Sequence, residues 1–201
     1  MIGSRSSPLV VAAAVLALGA AGAVEAATIR GTSGDDRLAG TRGDDRIIGK
    51  GGDDRIDGRR GNDRLLGGAG ADRVSGSDGR DTLEGATGTD VLIGGNHDDV
   101  LRGQTANDRL TGGLEDDDLD GGSGDDRVSG GPGSDDARGG EGNDQVIGGA
   151  DEDDLAGGAG DDTVHARDGA EDTIDCGPGE DTAVVDETED GVFDCENVLT
   201  P

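Results

Sequence analysis

The sequence predicts an all-β chain, a solenoid of short parallel strands stacked in coils, and three observations carry that expectation. From Gly31 to His165 the chain divides into fifteen nonapeptides without one insertion or deletion. Each nonapeptide has one fixed small aliphatic position, set between polar neighbours in a Gly-rich frame. Core-forming residues are scarce. Leu, Ile, Val and Phe fill 37 of 201 positions, Trp and Tyr are absent, and the formal charge is −29. So few core formers at so high a charge argue against a single packed globular core, and a fixed short period is the signature of stacked repeats. Gly supplies 42 residues but does not recur every third position, which excludes a collagen helix.

Taking Gly67 to Ser75 (GGAGADRVS) as the register, position one is Gly and position six is Asp in all fifteen repeats. Position eight is aliphatic throughout, from Leu38, Ile47 and Ile56 to Leu155 and Val164, with Ala137 the smallest. Position four is Gly in eleven repeats, and position five is usually Asp or Asn. One apolar residue bounded by a Gly-rich hexapeptide reads as a very short strand and then a tight turn. Two nonapeptides then make one coil of 18 residues, so repeat i lies beside repeat i+2 in parallel register. Position eight fills the space between two sheets, while positions seven and nine face outward. Fifteen repeats give seven and a half coils, or ~36 Å at ~4.8 Å per strand.

The turn composition sets the chemistry. Gly admits backbone conformations closed to other residues and lets carbonyls curl inward, and the invariant Asp adds a carboxylate. Hard oxygen donors with no Cys or His select Ca²⁺ over Zn²⁺ or copper, and flexible carbonyl loops suit Ca²⁺ better than Mg²⁺. These GGxGxDxUx nonapeptides resemble those of the repeats-in-toxin, or haemolysin-type calcium-binding, family. The resemblance covers 135 of 201 residues. It implies an all-β, right-handed parallel β-roll with two nonapeptides per coil. Each Ca²⁺ would sit between the turns of repeats i and i+2, held by position-six Asp and loop carbonyls.

The candidate ligands are therefore the fifteen position-six aspartates, and up to thirteen i/i+2 pairs can be drawn among them. Seven pairs meet the pattern in both partners: Asp36/Asp54, Asp54/Asp72, Asp72/Asp90, Asp126/Asp144, Asp144/Asp162, Asp45/Asp63 and Asp63/Asp81. Position four departs from Gly at His97, Ala106, Glu115 and Asp151, where a Cβ should resist the turn. That places Asp99, Asp108, Asp117, Asp135 and Asp153 only in pairs expected to be impaired.

Residues 1–26 read as a cleaved signal peptide. Arg5 precedes an uncharged Val/Ala/Leu/Gly run, and Val24-Glu25-Ala26 offers small residues for cleavage. The mature chain, 27–201, is expected to be secreted, with no membrane span, and to divide into a calcium-binding roll to residue 165 and an irregular C-terminal cap, 166–201. Cys176 and Cys195 read as a disulfide in an exported protein. Val192 and Phe193 are expected to fold over the open end, and the segment before the repeats to leave an N-terminal edge that is frayed or available for a partner. Position seven is often Arg early in the chain (Arg37, Arg46, Arg55, Arg64, Arg73), facing outward on one sheet or the other and offsetting the loop acids, with a binding face for an anionic partner as the alternative. The acidic balance argues against nucleic acid as partner. No HExxH, GxSxG or Walker motif occurs, so no catalytic residue is assigned. The reading is a secreted, non-enzymatic calcium-binding protein that folds on meeting calcium. The alternative is a cell-surface or matrix adhesion module in which Ca²⁺ is purely structural.

Overall fold

The computed structural model describes residues 26–186 and 191–201. The proposed leader thus lies outside the described residues apart from Ala26. Inward and outward side chains alternate along each repeat: position six, position eight and position one of the next repeat are buried, and those between them are exposed or half-buried. That period of two is what a pleated strand requires.

The strands are β1 (Thr28–Arg30), β2 (Arg37–Ala39), β3 (Arg46–Gly51), β4 (Arg55–Arg60), β5 (Arg64–Ala69), β6 (Arg73–Asp78), β7 (Thr82–Thr87), β8 (Val91–Asn96), β9 (Val100–Thr105) and β10 (Arg109–Leu114). They continue as β11 (Asp118–Ser123), β12 (Arg127–Pro132), β13 (Asp136–Glu141), β14 (Gln145–Ala150), β15 (Asp154–Ala159), β16 (Thr163–Ala166), β17 (Thr173–Asp175), β18 (Thr182–Val185), β19 (Gly191–Phe193) and β20 (Asn197–Leu199). Odd-numbered strands form one ten-stranded sheet and even-numbered strands the other. All pairs are parallel, and through the regular repeats the offset is 18 residues, as in Ile47↔Leu65 and Val74↔Leu92. The chain is a parallel β-roll.

Most strands have six residues and are longer than the very short ones expected. They run from position seven through position three of the next repeat, because the buried position-one Gly continues the inward row. The turn shrinks to positions four to six. Position-eight side chains, from Leu38 to Val164, form a core one side chain thick, which Ile29, Ile174, Ala183 and Val185 extend at the two ends.

Both ends extend the sheets. Thr28–Arg30 is not frayed: it pairs with β3, Thr28 facing Arg46. At the other end Val192 packs, partly buried, against the core while Phe193 is exposed. They lie in β19, which extends the odd sheet beside β17, while β20 extends the even sheet. One extra residue before β17 is absorbed in the turn and shifts the offset to 19 in both sheets, as in Asp154↔Thr173 and Thr163↔Thr182. Ten strands per sheet span ~43 Å at ~4.8 Å per step. A disulfide joins Cys176 to Cys195, Cα atoms 5.2 Å apart, and ties the last coil to the one beneath. Among the described residues no helix is long and apolar enough to cross a membrane.

Candidate metal-binding turns

Even-numbered repeats turn along one edge of the roll and odd-numbered repeats along the other. At each turn the position-six Asp points inward. All fifteen predicted ligands, Asp36 to Asp162, are buried, and the structure stacks them in two rows. It adds two that the sequence reading did not include: Asp172 and Asp181, equally buried, carry the rows into the irregular tail. Their signal was a repeat-like spacing shifted by one insertion between Asp162 and Asp172.

The two carboxylate oxygens have different surroundings. Oδ1 accepts the position-six N–H from the repeat two earlier: Asp54 N–H donates to Asp72 Oδ1 at 2.8 Å and Asp126 N–H to Asp144 Oδ1 at 2.7 Å. The odd row ends where Asp181 N–H donates to Glu196 Oε2 at 2.9 Å. Oδ2 is buried and has no hydrogen-bond donor in every position-six Asp from Asp54 to Asp162. A buried unpartnered carboxylate oxygen is expensive unless a cation meets it.

Carbonyl oxygens converge on the same place. A methyl group built on Gly67 would lie 2.5 Å from Asp72 Oδ2 and 2.9 Å from the Gly85 carbonyl oxygen, and one on Gly121 would lie 2.6 Å from Asp126 Oδ2 and 2.5 Å from the Gly139 carbonyl oxygen. Position one is therefore Gly for lack of room, since its φ is ordinary. From repeat three onward, positions two and four both take positive φ, whether occupied by Gly or not. Their carbonyls stack along the edge, and a Cβ on Gly88 would strike the Gly70 carbonyl. The resulting donor set is all oxygen, from carboxylates and carbonyls. It fits a hard divalent cation of calcium's preference.

Burial holds these carboxyls protonated well above the usual range, opposed by the N–H each accepts. Asp54, Asp81, Asp90 and Asp126 rise to about 6, and Asp63, Asp108, Asp117, Asp135, Asp144 and Asp153 to about 7. Asp99 rises to about 8, from desolvation first and then the neighbouring Asp81, Asp117 and Asp98 charges. Asp72 and Asp162 rise for the same first cause.

Non-Gly residues at position four take up the turn in spite of the Cβ expected to resist it. His97, Ala106, Glu115 and Asp151 adopt φ of 77, 79, 72 and 80°, in the left-handed region their Gly counterparts also occupy. Asp99, Asp108, Asp117, Asp135 and Asp153 consequently present the same buried Oδ2 as the rest. Pairing along both edges overrides a local penalty of ~1–2 kcal/mol per residue.

The first two turns are the ones that differ. Neither takes positive φ, and Thr occupies position two in both. Thr32 N–H donates to Asp36 Oδ2 at 2.5 Å and its hydroxyl to the same oxygen at 3.0 Å. Thr41 N–H donates to Asp45 Oδ2, and its hydroxyl lies 3.2 Å from Oδ1. Here the protein itself satisfies the oxygen left bare elsewhere.

Outside the aspartate rows runs a second, exposed ladder. Asp35 Oδ1 accepts Asp53 N–H at 3.0 Å, Asp53 accepts Ala71 N–H at 2.9 Å, and Asn143 accepts Asp161 N–H at 3.0 Å. This explains the Asp and Asn preference at position five. Along the even edge a groove of about 470 Å³ is lined by Asp98, Asp116, Glu152 and Glu171 in front of buried Asp99, Asp117, Asp135 and Asp153, a strongly cation-attracting field.

Two thin parallel sheets, with rows of inward carboxylates and carbonyls at both turn edges, define a calcium-binding β-roll. The chain belongs to the RTX calcium-binding nonapeptide repeat family, whose model matches residues 30–65, 58–92, 93–128, 129–164 and 155–183. These repeats are calcium-binding, and the regular buried aspartates fit them. No curated protein matches the chain.

Proposed function

We propose that the chain is a secreted, non-enzymatic calcium-binding protein whose folding is coupled to the calcium outside the cell. The observation that carries the reading is the row of buried Oδ2 atoms without a donor, running unbroken from Asp54 to Asp162. Asp carboxylates of repeats i and i+2, with turn carbonyls, are the groups that would hold each ion. A bound divalent cation supplies the positive charge that the buried carboxylates lack. Because that donor set exists only in the coiled chain, binding and folding share one free energy.

The four turns with side chains at position four belong to the metal-bearing edges. The first two turns are set apart, since Thr32 and Thr41 already hold Oδ2 of Asp36 and of Asp45, with Asp36 Oδ1 alone left without a donor. The same environment recurs along each edge, and so singles out no position for catalysis. Secretion is supported by the leader-like residues 1–26 and by the Cys176–Cys195 disulfide, a bond of oxidising compartments.

Far-UV circular dichroism of residues 27–201 tests the reading. The expected result is coil in chelator and a cooperative rise in sheet with Ca²⁺ but not with Mg²⁺. Full sheet in chelator would remove the coupling, and an equal response to Mg²⁺ would remove the selectivity. Extracellular modules of this kind are half-saturated near ~10⁻⁴–10⁻³ M.

A further inference from the structure

With the interior aspartates set aside, the exterior charge separates along the rod. Residues 27–111 carry 13 basic side chains and 16 acidic ones, of which nine are the interior aspartates. Residues 112–201 carry 3 basic and 29 acidic side chains, and among the described residues only eight of the acidic ones are interior. The first half therefore presents a net positive exterior and the second a strongly negative one.

That polarity is organised into columns. On the even sheet Arg37, Arg55 and Arg73 occupy directly paired positions on β2, β4 and β6. All three are exposed, and none makes an ion pair among the described residues. Like charges on directly opposed positions destabilise a sheet, and no ion pair among the described residues offsets that cost for this column. On the odd sheet Asp118, Asp136 and Asp154 form the matching column on β11, β13 and β15. Asp118 and Asp136 touch Arg102 and Arg138 at 3.9 and 2.7 Å, in exposed pairs that are weak enough to exchange.

We propose that the arginine column docks on the aspartate column of a second copy of this chain. Both columns belong to the same β-roll, so their charges advance by the same ~4.8 Å step and meet strand for strand. Charge complementarity selects this occupant: the acidic half of a second copy offers carboxylates at the spacing of the guanidinium groups. The contact joins different faces of the two copies. It is therefore heterologous, leaves a free column at each end, and propagates beyond a dimer.

Sedimentation velocity on the full chain, folded in saturating Ca²⁺, tests this at low and high salt. The expected result is a weight-average mass that rises roughly twofold or more at low salt. R37E/R55E/R73E and D118K/D136K/D154K should each stay monomeric alone, and mixing them should restore association. Circular dichroism confirms that each variant retains its sheet, and Arg55→Glu alone serves if a triple variant does not. A wild-type chain that stays monomeric at low salt overturns the proposal, as does failure of the mixture to associate. So does a monomer that binds dextran sulfate through the same arginines, which would make a polyanion the partner. None of these outcomes bears on calcium binding, which the folding titration reads separately.

Discussion

His97 Nδ1 lies 2.9 Å from Glu115 Oε1, and the two residues hold position four of repeats eight and ten, one above the other on the even turn edge. Both have left-handed backbone, φ 77 and 72°. Two neighbouring turns thus replace Gly with residues that pay a conformational penalty and recover part of it in a side-chain contact across the coil spacing. Both side chains are about half exposed, which limits such a pair to ~0.2–1 kcal/mol.

Ala106 separates these contributions, because its φ is 79° and its methyl has no polar partner to lose. Ala106→Gly is expected to stabilise the calcium-loaded roll by about 0.5–1 kcal/mol, the left-handed relief less the entropy Gly adds to the unfolded chain. His97→Gly should gain less, since it also breaks the contact with Glu115. Urea midpoints at saturating calcium decide it, and a loss of stability in Ala106→Gly would show that the turn does not need Gly there.

Position one fails for a different reason. Gly67→Ala keeps an allowed backbone but drives a methyl against Asp72 Oδ2 and the Gly85 carbonyl. The expected cost is about 1–3 kcal/mol, together with weaker calcium binding at that turn. Gly34, whose Cβ would meet nothing within 4 Å, is the control: Gly34→Ala should be close to neutral. Isothermal titration and thermal melts of the two variants side by side check both halves.

Acid should substitute for calcium. Interior carboxyls such as Asp54, raised from 3.8 to about 6, and Asp99, raised from 3.8 to about 8, bind protons more tightly folded than unfolded. The metal-free roll therefore loses stability as pH rises from near 4 through about 8, and keeps it below that window. Apparent calcium affinity should move the other way, strengthening as the carboxyls ionise. The check is sheet content in chelator at about pH 4.5 and about pH 8, and sheet that increases with pH would contradict it.

The N-terminal turns give a further test. Thr32→Val and Thr41→Val remove hydroxyls from Asp36 and Asp45 and should loosen the first coil by about 1–2 kcal/mol. Hydrogen exchange would quicken at β1 and β3 while the number of bound calcium ions stayed unchanged. A fall in stoichiometry would instead make those two aspartates ligands.

Much of this arrangement was legible in the repeat. Invariant Asp36 to Asp162 and the aliphatic eighth position declare two inward rows, and a fixed phase of nine declares the parallel stacking. What stayed hidden depends on neighbours two repeats away. Lys50, Arg59, Ser77, Ala86 and Gln104 occupy position two with left-handed φ, yet nothing in their side chains advertises it. The pairing of both flanking coils imposes the conformation. Thr32 and Thr41 looked like ordinary turn residues, and only their placement beside the carboxylates reveals their role. Strand length was underestimated because Gly at position one suggests a turn, whereas here it is a strand residue with no room for a side chain. Asp172 and Asp181 escaped because one inserted residue before Asp172 broke the phase for both, while the turn absorbs it without moving the rows.

The backbone hydrogen bonds of both sheets run along the rod axis, as from Arg55 N–H to the Asp36 carbonyl at 2.9 Å and from Val91 N–H to the Asp72 carbonyl at 2.9 Å. Pulled by its two ends, the roll would bear load on one coil's bonds at a time, opening like a zipper. Each 18-residue coil would release ~60 Å of chain, so tension would meet a train of small, evenly spaced yields rather than one abrupt rupture. At the far end the Cys176–Cys195 bond closes the last coil into a covalent loop that force cannot pay out.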